Sequence, residues 1–346
     1  MSLITSDAAY FGIDLGNSGV RVVQLRPVSG KPVLLNYGEA YLPPGVFTSD
    51  SVIDQNTIVE TISQLLKQTQ ISAKHVVASI PSSQAYTSLL MTPKLSEDEL
   101  AKAMKLQAEH YVPMAVDQVK IDWSVVGQGK TENEMQVMLV AAPNLIINKY
   151  VNIMDKLGLE LDALEINSIA LTRSIAVDPN SAVLELDIGV NDTDITIVHG
   201  GMPKLIRTQA VGSNTLVRGV STNLGLDEVQ AEQFLMKFGL TQTKLEGQVL
   251  KAVKPTLDSL LAEIHKSIKF FATQNDGIKL EKIMLTGSAS IIPELPVYLA
   301  NASHLPVEIT NPWAKVSYPA AIQEKLFSES YKYGVAVGLA LRQMNA

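Results

Sequence analysis

The chain has 346 residues, 46% hydrophobic and 18% charged, enough apolar material for two core-bearing domains and too much for a disordered polypeptide. Its formal net charge is −7 and its 28 basic residues are scattered singly, which argues against a nucleic-acid groove or a polybasic membrane surface. There is no Cys, and the five His residues show neither i,i+4 pairing nor an HExxH arrangement, so neither disulfides nor a structural metal is expected.

The N-terminal stretch MSLITSDAAY has neither a basic nor an apolar leader region, and no apolar run nears the ~20 residues that span a bilayer. A cytoplasmic protein is expected. Residues 11–25, FGIDLGNSGVRVVQL, then give an apolar strand closing on Asp14, a loop of Gly16, Asn17, Ser18 and Gly19, and a second alternating strand. A turn from Pro27 to Lys31 leads into a third strand, PVLLNYGEAYL. Such a loop either turns the chain or converges its backbone amides on a phosphate, and alone it does not decide between the two.

From Gln84 to Leu161 the pattern gives a strand (AYTSLLM), a helix capped by Ser96 with Glu99 three residues on, two strands (VKIDWSVVG and EMQVMLVAA) and a helix (NKYVNIMDKLG). This predicts a compact insertion with its own small core. The stretch ALEINSIALTRS follows, where Glu165 and Asn167 are polar in apolar surroundings. Each has two readings, a water-positioning residue or a helix cap.

Residues 182–210, AVLELDIGVNDTDITIVHGGMPKLIRTQA, repeat the opening device: a strand closing on Asp187, a loop at Gly189, a second strand, a turn at His199 to Gly201 and a third strand. Two copies imply two related halves whose loops face one another across a cleft. An Asp at a strand end beside exposed amides suits a metal–phosphate group, the carboxylate holding the cation through water. Further on, KIMLTGSASIIPELPVYLA is a strand, a small-residue turn and a helix starting near Pro293, and YKYGVAVGLAL has Gly334 and Gly338 on one face for close helix packing.

This order of loops and helices resembles the actin/Hsp70/sugar-kinase ATPase superfamily. Within it the chain is most similar to the PilM family, actin-like cytoplasmic proteins of type IV pilus assembly, and through it to the division protein FtsA. The likeness covers nearly the whole chain and is carried also by MTPKLSEDEL, KLQAEHYVPMAVDQVKIDW, MLVAAPNLIINKYVNIMDKLGLELDALEINSIAL and AEIHKSIKFFATQ. It implies an α/β, actin-like (ribonuclease H-like) two-domain fold with an FtsA/PilM-type 1C insertion. The implied division is 1–84 subdomain 1A with the first phosphate loop, 85–161 subdomain 1C, and 162–178 the first connecting helix of 1A. Residues 179–215 are then subdomain 2A with the second phosphate loop, 216–276 subdomain 2B, 277–312 the adenosine turn of 2A, and 313–346 the second connecting helix of 1A.

The resemblance implies ATP and Mg2+ as ligands. Asp14 and Asp187 would hold the Mg2+ through water, with Gly16, Asn17, Ser18, Gly19 and Arg21 around the β- and γ-phosphates and Gly189 facing them. Gly212 and Asn214 match the turn before the helix GLDEVQAEQFLMKFG, whose Glu232 is either a ribose ligand or part of a solvated face, and Gly287 with Ser288 matches the adenosine turn. Three departures stand out: Ser288 replaces a second Gly, Leu235 replaces a basic residue three positions after Glu232, and Arg21 replaces a Lys.

The implied function is an ATP-binding scaffold with slow or absent hydrolysis, Glu165 and Asn167 being weak catalytic candidates. It would recruit the cytoplasmic N-terminal peptide of a PilN-like bitopic membrane protein near the junction of 1A and 1C, and so lie at the inner face of the membrane indirectly. Self-association is open. The rival readings are a true ATPase or small-molecule kinase of the same fold and an FtsA-like filament former. The ending ALRQMNA, with no amphipathic helix beyond it, favours PilM over FtsA.

Overall fold

The structure, a computed structural model, describes residues 9–342 apart from 130, 179 and 276. The expectations resting on residues 1–8 and on 343–346, the missing leader and the missing terminal helix, lie outside the described residues.

Strands β1 (Tyr10–Gly16), β2 (Gly19–Val28) and β3 (Lys31–Tyr41) form an antiparallel meander, and helix α1 (Val52–Thr69) carries the chain back to β4 (His75–Ile80), parallel to β1. The predicted turn at Pro27 to Lys31 tightens to Ser29 and Gly30, both at positive φ, the geometry whose twist matches a hairpin. Ser51 caps α1 by accepting from the Asp54 amide.

Next come β5 (Tyr86–Pro93), α2 (Glu97–Tyr111), β6 (Val119–Gln128) and β7 (Glu134–Pro143), which build a separate three-stranded antiparallel sheet in the order β5-β7-β6. Ser96 and Glu99 close a capping box on α2, and Leu100, Met104 and Ala108 from its inner face meet Leu90, Val137 and Leu139 of the sheet in one apolar cluster. Helix α3 (Asn144–Leu157) departs from the expected grouping: its buried Tyr150, Ile153 and Met154 belong to the cluster of Phe11, Ile13, Ile58 and Ile62. Its apolar stripe faces the larger core because α1 lies alongside it, and Lys156 reaches Asn56 at 3.2 Å.

Strand β8 (Glu160–Ile166), which the sequence pattern does not separate from the approach to the connecting helix, adds in parallel to β4 and completes a sheet β3-β2-β1-β4-β8. After α4 (Asn167–Ser174) the pattern recurs: β9 (Ala182–Ile188), β10 (Thr193–His199) and β11 (Met202–Gln209) form a meander, then α5 (Ser213–Leu224), α6 (Glu228–Phe238) and α7 (Gln248–Gln274) pack on it. Strand β12 (Leu280–Thr286), helix α8 (Leu295–Ser303) and strand β13 (Val307–Ile309) give the second sheet the order β11-β10-β9-β12-β13, matching the first position for position. Pro293 precedes α8 in a turn, and Pro296 is the proline inside its first turn, where a missing N–H leaves nothing unpaired.

The chain closes with α9 (Gln323–Ser328) and α10 (Gly334–Ala340), the latter buried throughout. The Gly face anticipated for this helix packs on α4: any side chain at Gly338 would enter the Ala170 carbonyl, and a Cβ at Gly334 would stand 2.6 Å from Leu171 Cδ1. Gly12 meets the other side of α10 in the same way. Helices α4 and α10 are thereby clamped together between the sheets. Among the described residues no helix is long and apolar enough to cross a membrane.

Candidate functional site

Cross-strand register explains the site. In the first sheet Glu39, Arg21, Asp14, Ser79 and Glu165 are direct neighbours across five strands, and directly opposed residues share a face. In the second sheet the corresponding row is Thr208, Asp194, Asp187 and Thr286. The two hairpin loops lie beside these rows, around a cleft of about 820 Å³ including its mouth.

Of the residues anticipated as ligands, Asp14, Gly16, Asn17, Ser18, Arg21, Asp187, Gly189, Gly287 and Ser288 line this cleft together. Gly19 sits behind the first loop, paired with Gly16 in the hairpin. Gly212 and Asn214 stand behind the second loop: the Asn214 amide donates to the Val190 carbonyl at 3.0 Å, its side chain donates to Asn191 Oδ1, and Gly212 leaves no room for a Cβ against Val190. Glu232 is on the exposed face of α6 and is not among the lining residues. Leu235 is fully buried in the core, so a basic side chain there would have no route to solvent. Gly287 has φ +86°, and a Cβ there would collide with Asp187 Oδ1, so the turn needs Gly; at the next position Ser288 shares a hydrogen bond of 3.1 Å with Ser213.

The two catalytic candidates separate. Glu165 is clamped by Arg173 through two guanidinium nitrogens at 3.0 Å and pairs also with Arg342, so its carboxylate is committed to an ion pair rather than to the cleft. Asn167 is the first residue of α4 and lines the cleft, and its Oδ1 is buried without a hydrogen-bond partner among the described residues. Neither side chain caps α4.

Polar residues not singled out from sequence also line the cleft: Asp192, Asp194, Thr286, Tyr331 and Lys332. Asp194 accepts from Thr208 at 2.6 Å and from Ser168 at 3.1 Å, Ser168 meets Ser82 at 2.7 Å, and Ser83 donates to Asp192 at 2.7 Å. These bonds tie the turn after β4 to the second hairpin. Asp192 and Asp194 were legible as acidic residues in VNDTD, but nothing in their spacing revealed which neighbours they face.

Electrostatics follow from the rows. Asp14 sits opposite Arg21, with Oδ2 3.9 Å from Nη1, and accepts from Ser79 at 3.3 Å; burial raises its pKa, against these two opposing influences. Asp187 has Asp194 directly opposite instead of a cation, so burial first and then Asp194, Asp14 and Asp192 push it up to about 8. Asp194 is pushed up to about 6, chiefly by burial. Asp187, raised by burial and by the carboxylates around it, Asp14 across the cleft among them, marks a site that a cation would relieve. Arg21 and the small-residue loop fit an anion beside that cation, and the unpartnered Asn167 oxygen is placed to accept from a donor such as water. Among the described residues no three carboxylate or imidazole groups converge as a ready-made metal cage.

Three comparisons bear on this geometry. The solved "PilM-PilN type IV pilus biogenesis complex" has a chain 23% identical to this one with a TM-score of 0.84, covering 97% of this chain and 99% of that one. The ethanolamine utilization protein EutJ of Carboxydothermus hydrogenoformans is 13% identical with a TM-score of 0.54 over 96% and 88%. MreB5 of Spiroplasma citri, solved bound to ADP, is 13% identical with a TM-score of 0.52 over 96% and 95%. These likenesses establish the actin-like two-domain fold. By sequence the chain is 22% identical over 259 residues to cell division protein FtsA of Enterococcus faecalis (strain ATCC 700802 / V583), spanning 66% of this chain and 58% of that relative. The family model described as type IV pilus assembly protein PilM matches residues 12–344, and the chain belongs to that family.

Proposed function

We propose that this protein is an actin-like, ATP-binding scaffold of a type IV pilus or related assembly machine. It recruits the cytoplasmic N-terminal peptide of a PilN-like inner-membrane protein and so works at the inner face of the membrane. The observation that carries the reading is the pairing of two register-matched hairpin loops across one cleft in a chain matched by the PilM family over 12–344. The named PilM–PilN complex, similar over nearly the full length, supports the partner.

In this reading Asp14 and Asp187 hold Mg2+ through water, the amides and side chains of Gly16 to Gly19 and of Gly189 surround the phosphates, and Arg21 supplies a fixed cation. Mg2+ neutralises phosphate charge when bound. Gly287 and Ser288 take the adenine side, with Ser288 narrowing the approach. Glu232, on its exposed helix face, is the candidate for the ribose. The subdomain limits 1–84, 85–161, 162–178, 179–215, 216–276, 277–312 and 313–346 belong to the same proposal; the three sheets support the division, while α3 and the start of β8, both within 85–161, pack with the first sheet rather than with the insertion.

Hydrolysis is slow or absent. Positioning an attacking water needs a polar atom within hydrogen-bond reach of the terminal phosphate, and Asn167 offers a neutral amide, a weak base. The test is calorimetry with Mg-ATP and Mg-ADP on wild type and Asp14→Ala, with phosphate release followed in the same samples and capture of the PilN-like N-terminal peptide measured in parallel. Nucleotide binding lost in Asp14→Ala, little release, and peptide capture by wild type are expected. Rapid substrate-dependent turnover would favour the kinase or ATPase reading instead.

A further inference from the structure

The walls of the cleft carry more acidic than basic side chains. Asp14, Asp187, Asp192 and Asp194 line it, and its cationic lining residues are Arg21 and Lys332. Both cations are engaged by one carboxylate that is not itself a lining residue. Glu39 Oε2 lies 3.7 Å from Arg21 Nε, and Glu39 Oε1 pairs with Lys332 Nζ. Register places Glu39 on β3 directly opposite Arg21, so the guanidinium stands between two carboxylates, Glu39 on one side and Asp14 on the other.

Neither contact uses up the guanidinium. Its approach to Glu39 is 3.7 Å and to Asp14 3.9 Å, both longer than a charge-assisted hydrogen bond of about 2.7–2.9 Å. Nη2 donates to Ser18 in the first loop, while Nε is buried and has no hydrogen-bond partner among the described residues. Arg21 is therefore aligned on the loop with donors to spare. Lys332 is in the short 3-10 turn Ser330–Lys332 that leads into α10, and its long stem allows the ammonium to change partner. Glu39 is on an edge strand with 35% of its side chain exposed, so a released carboxylate returns to water at little cost.

We propose that Glu39 is a resident competitor for the anion: it holds Lys332 and Arg21 and yields them to the phosphoryl oxygens of a nucleoside di- or triphosphate, and thereby sets the affinity of the cleft. The proposal rests on the nucleotide reading above and adds two residues to it, a carboxylate that weakens binding and a second cation that strengthens it.

Calorimetry of Mg-ATP, Mg-ADP and adenosine is measured on wild type, Glu39→Gln, Lys332→Met and the double variant. Glu39→Gln is expected to bind Mg-ATP about three- to tenfold more tightly, the range that follows from freeing exposed ion pairs, with adenosine unchanged because it has no phosphate. Lys332→Met is expected to weaken Mg-ATP, and in its background the gain from Glu39→Gln is expected to shrink, which a double-mutant cycle reads directly. Unchanged Mg-ATP affinity in Glu39→Gln, or an equal gain for adenosine, would overturn the proposal. Weaker Mg-ATP binding by Glu39→Gln would make Glu39 a strut for Arg21 and overturn it too. A wild type that binds no nucleotide refutes the underlying reading, an outcome distinct from wild-type binding that Glu39 does not affect.

Discussion

Gly12→Ala is expected to destabilise the protein more than any exposed-loop substitution, although it adds one methyl group. On β1, two residues before Asp14, the new Cβ would stand 2.6 Å from the Ala336 carbonyl oxygen, 2.7 Å from the Ala340 amide nitrogen and 2.8 Å from Leu339 Cβ, all on α10. Non-bonded heavy atoms prefer roughly 3.5–4.0 Å, so the strand and helix must part by about 1 Å. Two of the three obstructing atoms are backbone, and α10 is also in backbone contact with α4 at Gly338, so no rotamer change relieves the overlap. Overpacking of this kind costs about 1–3 kcal/mol, and rigid neighbours put this case near 3 kcal/mol.

The control is Gly16→Ala on the same strand. Its added Cβ would have as nearest neighbours the Gly19 carbonyl at 3.7 Å and Arg21 Nη1 at 3.9 Å, ordinary contact distances. Urea unfolding followed by circular dichroism is expected to give Gly16→Ala a midpoint near wild type and Gly12→Ala a clearly lower one with a similar slope. Equal midpoints for the two variants would refute the claim that β1 and α10 are in backbone contact.

Two further predictions use other parts of the fold. Glu185, almost fully buried on β9 with Oε2 accepting from Thr172 at 2.8 Å and Oε1 unpartnered, is pushed up to about 8 chiefly by burial. A raised folded-state pKa means that the native state keeps a proton that the unfolded chain releases above about 4.5, so stability falls by up to about 1.4 kcal/mol per pH unit between there and about 8. Glu185→Gln is expected to flatten that part of the stability profile, and melting curves from pH 5 to 9 that keep the wild-type slope would contradict it. Glu165→Gln is expected to lower stability by about 2 kcal/mol through the loss of its Arg173 and Arg342 pairs while leaving nucleotide affinity unchanged, whereas Asn167→Ala changes nucleotide affinity or phosphate release at near-normal stability. The reverse pattern in paired melting and binding measurements would exchange the two assignments.

Local chemistry was legible wherever the sequence repeats a device. Asp14 with Gly16 to Gly19 and Asp187 with Gly189 are strand–loop–strand units whose periodicity and turn residues sit within some thirty contiguous positions, so both hairpins and their meeting at one cleft followed from pattern alone. The three strands and α2 of the insertion were legible from local periodicity, down to the Ser96–Glu99 capping box, but its second helix, α3, packs on the larger core instead. The Gly334 and Gly338 face identified a tight helix contact, though not that Ala170 and Leu171 receive it.

What tertiary structure alone decided depends on register and on faces that distant segments share. Strand β8 reads as the approach to a helix until its parallel pairing with β4 is seen, and the apolar stripe of α3 fits either core until α1 is beside it. Glu39, Arg21 and Asp14 become a row only because two strand pairings bring residues 39, 21 and 14 opposite one another, and Lys332 joins them from 293 residues beyond Glu39. A one-residue slip in either pairing would turn those charges to the other face of the sheet, so their alignment is a property of the folded register and not of the local sequence.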